Sequence, residues 1–391
     1  MKFLHTADWQ LGKPFARIRD DQKRARVRHA RLAAIHRLGA VARETGAECI
    51  LVAGDLFDSP SADKATVSAA CSAIGQLGLP VYAIPGNHDH GGPGSVWTQP
   101  FFLREQAALA PNLHVLLTPA PVEIEGAVLL PCPLVRRSAV SDPTAWLRAP
   151  AVFAGLPADR PRLVLAHGST QAFSSPWEDD EEEGAAGNLL DLSRLPGDEI
   201  DYLALGDWHG TREVTPKAWF AGTPELDRFP KGGDHDPGNV LLVEVSRGQP
   251  PVVTRHSTAE LRWNELAFDF AADDALAEFQ SRPSALLGQR AHEDLLRLHL
   301  TGSLGIAAAT RLDELLESLE ARLLRLKLSN QTRVAPSEAE IAALTERAAD
   351  PLIARVARAL VEQAAGDDEE ALTARVALRE LHATCEEEVA S

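Results

Sequence analysis

The sequence predicts an α/β sandwich, followed by a smaller α/β unit and a helical carboxyl-terminal tail. Through residue 245, short apolar runs alternate with helical stretches, and several runs are continuous in Val, Ile and Leu, as in strands buried on both faces. Nearly every run ends in a polar cluster that contains Asp, Asn or His. Beyond residue 250 the pattern becomes more helical, with leucines spaced three and four residues apart.

These runs and stretches give the order of the elements. Strands are predicted at residues 2–6, 49–53, 80–84, 113–117, 128–131, 163–166, 201–205, 218–221 and 240–245, with helices at 27–43 and 63–76. In the later part, strands are predicted at 252–263 and 295–300, and helices at 274–280, 312–323, 352–363 and from 367 onward. Asp350 and Pro351 provide an N-cap and a first-turn proline for the helix at 352–363. We therefore predict three domains, at 1–248, 249–332 and 333–391.

Apolar content and the cysteines indicate where the protein works. No apolar stretch approaches the roughly 20 residues that span a bilayer, and the amino terminus lacks the apolar segment of a secretory signal. The four cysteines have no CxxC spacing, so we predict reduced thiols rather than disulfides or a zinc site. The expected location is the cytoplasm, with no membrane attachment.

Charge is unevenly distributed along the chain. The formal net charge of -17 argues against a general nucleic-acid coat, because such proteins bind by neutralising phosphates. The segment from Lys13 to Arg37 is nevertheless rich in basic residues, whereas acids concentrate at 178–183, which we interpret as a solvated loop. One basic face on an acidic protein can bind a polyanion. A solvated arginine-rich helix explains the same segment equally well.

Five polar clusters follow predicted strands, at positions where ligands bind in open α/β sheets. Their side chains offer carboxylate, amide and imidazole ligands that suit Mn, Mg, Fe or Zn ions. Two such cations about 3.5–4 Å apart can clamp an in-line displacement at phosphorus. The candidate ligands are Asp8, Asp55, Asn87, His167 and His209.

The order of these clusters resembles that of the calcineurin-like metallophosphoesterases. The motifs in this chain are Gly54-Asp55-Leu56-Phe57-Asp58, Gly86-Asn87-His88-Asp89, His167 and Gly206-Asp207-Trp208-His209. Within that family, the chain is similar to SbcD-type DNA double-strand-break repair exonuclease subunits at His5-Thr6-Ala7-Asp8, Leu11-Gly12 and Gly222-Thr223-Pro224-Glu225. The resemblance implies a four-layer αββα metallophosphoesterase sandwich with a smaller α/β capping domain.

The resemblance also implies a role for each motif residue. One metal ion would be surrounded by Asp8, Gln10, Asp55 and His209, and the other by Asp55, Asn87, His167 and Asp207. His88 would protonate the leaving oxygen or stabilise charge at phosphorus, with Asp89 orienting its ring. Asp58 would support these residues from outside the ligand shell.

Two positions depart from the family pattern. Gln10 stands where the family has histidine, and Asp207 replaces the first histidine of its GHxH motif. Both changes move the ligands from nitrogen towards oxygen, which favours Mn²⁺ or Mg²⁺ over softer ions. We therefore predict two divalent ions, with Mn²⁺ preferred. A degenerate, non-catalytic site is the alternative, but retention of His88 beside the other motifs argues against it.

The predicted function is that of a metal-dependent DNA exonuclease or endonuclease subunit, hydrolysing phosphodiester bonds in DNA repair. Lys13, Arg17 and Arg19 are the candidates for DNA binding. A phosphatase or cyclic-nucleotide phosphodiesterase on the same metal core is one alternative, although neither needs the extra domain or the basic segment. A metal-free scaffold that binds DNA ends is another.

The resemblance further implies two protein partners. Exonucleases of this type attach through a terminal helical hairpin to the coiled coil of an SMC-like ATPase, and apolar tail residues can supply that surface. Packing of the same helices against the capping domain is an equal alternative. The second partner is another copy of the chain in a homodimer, with candidate interface residues Ile35 and Leu38, or Ile74 and Leu77.

Four tryptophans lie near the motifs. Aromatic side chains in such places can stack on bases, although packing into a core or a pocket wall is their more common role. The four are Trp9, Trp97, Trp177 and Trp208.

Overall fold

The computed structural model describes residues 1–170, 187–229, 236–334, 338–347, 350–366 and 368–390. The chain forms two compact units, Met1–Leu261 and Arg262–Ser391. Their boundary lies beyond the predicted one at residue 248, so residues 249–261 of the predicted capping domain belong to the first unit, and the rest of that domain lies with the tail in the second. Trp177 and the acidic run at 178–183 lie outside the described residues.

Both units contain strands and α-helices. The strands are β1 (Lys2–Thr6), β2 (Cys49–Ala53), β3 (Val81–Ile84), β4 (Leu113–Val115), β5 (Val122–Ile124), β6 (Ala127–Cys132), β7 (Arg162–His167), β8 (Tyr202–Gly206), β9 (Arg212–Thr215), β10 (Ala218–Phe220), β11 (Asn239–Glu244), β12 (Val252–Ser257), β13 (Trp263–Phe270), β14 (Leu295–Leu304), β15 (Arg325–Asn330) and β16 (Arg333–Val334). The α-helices are α1 (Asp21–Thr45), α2 (Lys64–Gly75), α3 (Pro100–Leu109), α4 (Ala275–Leu287), α5 (Ile306–Arg322), α6 (Glu338–Thr345), α7 (Pro351–Gln363) and α8 (Glu369–Ala390).

The first sheet has the strand order β12–β11–β1–β2–β3–β4. Strands β1 to β4 run parallel, and every residue of β2 is buried, which explains the continuous apolar runs read from the sequence. Helices α1 and α2 cover one face of this sheet through a core that includes Leu38, Ile50 and Ile74. The other face is left for a second sheet.

The second sheet has the order β5–β6–β7–β8–β10–β9 and packs on the first. The core between the sheets contains Phe3 and Leu51 from the first and Leu129 and Leu165 from the second. Short 3₁₀ turns that include Leu147 cover its outer face. The predicted four-layer sandwich is confirmed, with 3₁₀ turns in the place of α-helices in the fourth layer.

The second unit is a small parallel sheet with helices. Strand β14 lies between β13 and β15 and also pairs with β16. The predicted leucine stripe is confirmed in α5, where Leu312, Leu316 and Leu319 are buried. The strand predicted at 252–263 is present as the shorter β12, but its assignment to the smaller unit was wrong, because β12 pairs antiparallel with β11 and belongs to the first unit.

The carboxyl-terminal helices have two apolar faces. The Asp350 side chain caps α7 by accepting from the amides of Leu352 at 3.1 Å and Ile353 at 3.2 Å, as predicted. Ile353 and other residues of this inner face pack in a cluster around Ile306 at the start of α5. On the outer face, Leu352 is 61% exposed and Val356 43%. The tail therefore folds against its own unit and still presents apolar side chains to solvent.

Several residues predicted for surface roles are buried instead. The dimer-interface candidates lie inside the first core, so that interface assignment is wrong; they are Ile35, Leu38, Ile74 and Leu77. Base stacking is also excluded for three buried tryptophans, Trp9, Trp97 and Trp208. The four cysteines are buried and form no disulfide. Among the described residues, no helix combines the length and the apolar character needed to cross a membrane.

The start of α2 provides a test of the fold. The Asp63 carboxylate caps this helix by accepting from the Thr66 amide at 2.9 Å and the Thr66 hydroxyl at 2.8 Å. We expect Asp63→Ala to lower the free energy of unfolding by about 1 kcal/mol, whereas Asp63→Asn, which keeps a capping oxygen, should stay close to wild type. Urea denaturation followed by tryptophan fluorescence measures both. Equal losses in the two variants would contradict the capping role.

Candidate metal centre

The predicted ligands meet where the two sheets bring their strand ends together. Parallel pairing of β1 with β2 and of β2 with β3 aligns one set of carboxyl ends, and parallel pairing of β7 with β8 aligns the other. Asp8, Asp55 and His167 are buried and offer ligand atoms that all lie within 4.8 Å of one another. The geometry therefore brings together residues separated by more than a hundred positions in the chain.

The backbone at these strand ends adopts a conformation that L-residues rarely populate. Of the six non-glycine residues with positive φ in the described chain, four are candidate ligands: Asp8, Gln10, Asp55 and Asp207. The loops that follow β1 and β2 are joined by two hydrogen bonds. The Asp8 amide donates to the Gly54 carbonyl at 3.1 Å, and the Gln10 amide donates to the Asp55 carbonyl at 2.8 Å. Strained residues of this kind concentrate at functional sites, where the surrounding fold maintains them.

His167 is held in one orientation and one tautomer. Its Nδ1 donates to the Ala53 carbonyl at 2.9 Å, so its Nε2 faces the site. Nε2 lies 2.9 Å from Asn87 Oδ1, 3.6 Å from Asp55 Oδ1 and 3.7 Å from Asp207 Oδ1. All three oxygens are acceptors, so a proton on Nε2 or a metal ion must lie between them and the imidazole nitrogen.

The acids of the cluster also require positive charge. Burial, with a further contribution from neighbouring acids, raises the pKa of Asp8 to about 8. Burial lowers the pKa of His167, but the charges of Asp55, Asp8 and Asp207 outweigh it and bring the value to about 9. The cluster therefore has more acidic than basic groups and offers carboxylate, amide and imidazole ligands. This combination fits a divalent cation. Asp8, Asp55, Asn87, His167 and Asp207 are the residues that would hold it.

His209 and Gln10 are arranged differently. His209 Nδ1 donates to Asp227 Oδ1 at 3.1 Å, and burial lowers the pKa of its ring to about 4 against the opposing charge of Asp227. The neutral Nε2 faces the side-chain nitrogen of Gln10 at 3.3 Å. Two predicted ligands therefore contact each other. Asp227, which the sequence analysis missed, lies two residues beyond the Gly222–Glu225 motif and completes this part of the site.

His88 is positioned by a neighbour other than the predicted one. Its Nδ1 donates to the Asp58 carbonyl at 3.1 Å, which leaves Nε2 on the side of Asp55, 4.0 Å from Oδ2. The orienting role predicted for Asp89 is wrong, because its two carboxylate oxygens accept from the amides of Gly86 at 2.7 Å and Phe57 at 3.0 Å. Asp89 therefore joins two loops, and burial together with the charge of Asp55 raises its pKa to about 7.

Much of the basic segment is engaged inside the fold. Arg31 is buried and donates to the Asp8 carbonyl at 2.9 Å and the Glu225 carbonyl at 2.8 Å, which braces the loops around the site. Arg37 pairs with Glu225 at 2.7 Å. Of the three candidates for DNA binding, Arg17 and Arg19 are exposed, whereas Lys13 is mostly buried and pairs with Asp227 at 3.0 Å.

Comparison with known proteins adds the family. The family profile described as calcineurin-like phosphoesterase matches residues 1–236. The chain belongs to this family. Calcineurin-like phosphoesterases hydrolyse phosphoesters with divalent metals. The cluster of Asp8, Asp55 and His167, which offers ligands for such an ion, agrees with this activity.

Individual relatives are more distant. The chain is 32% identical to the uncharacterized metallophosphoesterase YhaO of Bacillus subtilis (strain 168) over 129 residues, which are 32% of this chain and 29% of YhaO. The match thus spans less than a third of that relative's length. Among solved structures, TT1561 of Thermus thermophilus aligns with a TM-score of 0.40 and 14% identity, covering 66% of this chain and 98% of TT1561.

Gly54 tests how closely the phosphoesterase site is packed. Its φ is +93°, and a Cβ at this position would lie 2.2 Å from His167 Nδ1. Because Gly54→Ala must displace the imidazole, we expect it to weaken Mn²⁺ binding about 10–100-fold, as loss of a ligand-orienting contact does. Isothermal titration calorimetry measures the affinity.

Gly46→Ala is the matched control. Gly46 also has a positive φ of +70°, but an added Cβ meets nothing within 4 Å. This variant should lose some stability and keep its Mn²⁺ affinity. Similar affinities in the two variants would show that displacement of His167 does not affect binding.

Proposed function

We propose that this phosphoesterase is a DNA nuclease that hydrolyses phosphodiester bonds in repair and prefers Mn²⁺. The observation that carries the proposal is the position of His88 beside the cluster of buried acids. With Nδ1 committed to the Asp58 carbonyl, its Nε2 is the nitrogen on the side of the cluster. Hydrolysis of a DNA phosphodiester breaks a P–O bond and expels a sugar alkoxide, a poor leaving group, and a proton donor at this position assists its departure.

The residues of the site have two proposed roles, which are metal binding and proton donation. Asp8, Asp55, Asn87, His167 and Asp207 would bind the divalent metal. When bound, such an ion polarises the phosphate and makes a nucleophilic water available near neutral pH. In its imidazolium form, His88 would give its Nε2 proton to the departing oxygen, and the Asp58 carbonyl would accept from the Nδ1–H that the neutral ring retains.

The preference for DNA rests on features outside the metal cluster. The motifs His5-Thr6-Ala7-Asp8 and Gly222-Thr223-Pro224-Glu225 resemble those of SbcD-type nucleases. Arg17 and Arg19 are exposed in the segment that leads from the Asp8 loop into α1. Small phosphate esters need neither these arginines nor the second unit. We propose the cytoplasm as the location, where four buried cysteines without a disulfide are the common state.

Digestion of end-labelled DNA tests this proposal. The wild-type protein with Mn²⁺ should degrade duplex or single-stranded DNA, with lower rates in Mg²⁺ and Zn²⁺. His88→Ala should lower kcat about 10²–10⁴-fold, because it removes the proton donor. His36→Ala, at an exposed position on α1, is the control and should cleave at the wild-type rate.

The alternatives give different results in the same assay. Hydrolysis of p-nitrophenyl phosphate or a cyclic nucleotide without cleavage of DNA would favour a small-substrate enzyme. Binding of DNA ends without hydrolysis in any of the three metals would favour a scaffold. A His88→Ala variant as fast as the wild type would reject the proposed proton transfer.

We also propose that the carboxyl-terminal helices bind the coiled coil of an SMC-like ATPase. The support is the outer face of α7 and α8, where Leu352, Val356 and Val376 are exposed while the inner face packs around Ile306. Exposed apolar residues at helical spacing suit helix-to-helix recognition. A homodimer remains part of the proposal, with a surface other than the buried residues first considered.

Substitutions on the outer face separate partner binding from folding. We expect the double variant Leu352→Glu with Val356→Glu to abolish co-purification with the proposed SMC-like ATPase. Its helical content should stay unchanged, because both side chains are exposed. Glu362→Lys, also exposed on α7, should retain the complex. Circular dichroism and pull-down measure the two properties. An intact complex with the double variant would refute this attachment.

A further inference from the structure

We propose that this phosphoesterase binds a single divalent metal ion, and that the ammonium group of Lys13 occupies the role of the second ion. The inference concerns the same site as the proposed nuclease activity and rests on its metal dependence. Its readout is metal stoichiometry rather than DNA cleavage, so the two can fail separately. It replaces the sequence-based prediction of two ions.

Lys13 fixes the orientation of the Gln10 amide. Lys13 Nζ lies 2.8 Å from one terminal atom of this side chain. An ammonium group only donates hydrogen bonds, so the atom that faces it must be the amide oxygen, Oε1. The NH₂ group of Gln10 is thereby turned the other way. Gln10 presents a donor, not a ligand, to the remainder of the site.

His209 is also committed to contacts within the protein. Its Nδ1 donates to the Asp227 carboxylate at 3.1 Å, which leaves only the Nε2 lone pair for a metal. That lone pair faces the Gln10 NH₂ group at 3.3 Å and accepts from it. The two residues that would complete a second ion's shell, beside the acids it would share with the first, satisfy each other. His209 is accordingly absent from the group formed by Asp8, Asp55 and His167.

Two basic side chains already supply positive charge beside His209. Lys13 is mostly buried and pairs with Asp227 Oδ2 at 3.0 Å, with Asp58 Oδ1 at 3.9 Å. Arg228 also pairs with Asp227, at 3.0 Å, and its Nη2 lies 3.4 Å from His209 Nδ1. A divalent cation beside His209 would therefore meet two fixed positive charges of the protein. The ion pairs already supply the positive charge that the acids on this side require.

These contacts explain why this chain has Gln10 at a position where the family has histidine. A histidine at this position would offer a nitrogen lone pair to a second ion, and a lysine nearby would repel that ion. Gln10 instead can bridge an ammonium and an imidazole because its amide has both an acceptor and donors. The substitution and Lys13 thus belong together, as two parts of one hydrogen-bonded chain from Asp227 through Lys13 and Gln10 to His209.

Metal analysis of the full-length protein tests the inference. The protein is stripped with a chelator and titrated with Mn²⁺ in a calorimeter, and the saturated sample is examined by electron paramagnetic resonance. We expect one Mn²⁺ per chain and the spectrum of an isolated ion. Two equivalents, or the signals of a spin-coupled pair, in the wild type would overturn the inference.

A variant built to open the second position gives the reciprocal test. Gln10→His with Lys13→Met removes the ammonium and adds an imidazole, and we expect its stoichiometry to rise from one Mn²⁺ to two. Lys2→Met is the control, because Lys2 is a half-exposed surface residue paired with Glu244, and should remain at one. A double variant with native circular dichroism that still binds one ion would show that Lys13 and Gln10 are not what excludes the second.

Discussion

Buried negative charge at the ends of two parallel strand sets is the constraint on which this structure depends. Asp8 and Asp55 are removed from water on residues with φ near +54°, and no packing of apolar groups can compensate them. The fold keeps them there because the loop that carries Asp8 is hydrogen-bonded to the loop that carries Asp55. In addition, Arg31 donates a hydrogen bond to the Asp8 carbonyl. The cost of this arrangement is recovered when a cation binds, which couples metal binding to the stability of the loops.

The residues predicted as ligands from sequence are those that follow buried parallel strands. Asp8, Asp55 and His167 could be found because strand ends at one edge of a sheet converge whatever the details of the loops. The sandwich itself was predictable for the same reason, since continuous apolar runs require burial on both faces. β12 was assigned to the wrong unit, because a half-exposed strand carries the same alternation in either sheet.

Roles that depend on hydrogen-bond direction were not predictable. Asp89 follows His88 directly, yet its carboxylate bonds two backbone amides and the Asp58 carbonyl orients the imidazole. The contact of Gln10 with His209 spans 199 residues, and no spacing rule anticipates it. Asp227 was missed because the motif before it ends at Glu225. Each of these outcomes is decided by which donor reaches which acceptor, and that information is tertiary.

The basic segment from Lys13 to Arg37 illustrates the same limit for charge. As a sequence it indicates a polyanion-binding face, but its members have separate duties in the fold. Arg31 and Arg37 brace the loops near Glu225, and Lys13 is paired with Asp227 beside the metal cluster. Side chains such as Arg17 and Arg19, near the start of the segment, are exposed to solvent. A protein of net charge -17 can therefore use part of a dense run of basic residues to neutralise its own buried acids, and fewer of these residues remain exposed to solvent than the run contains.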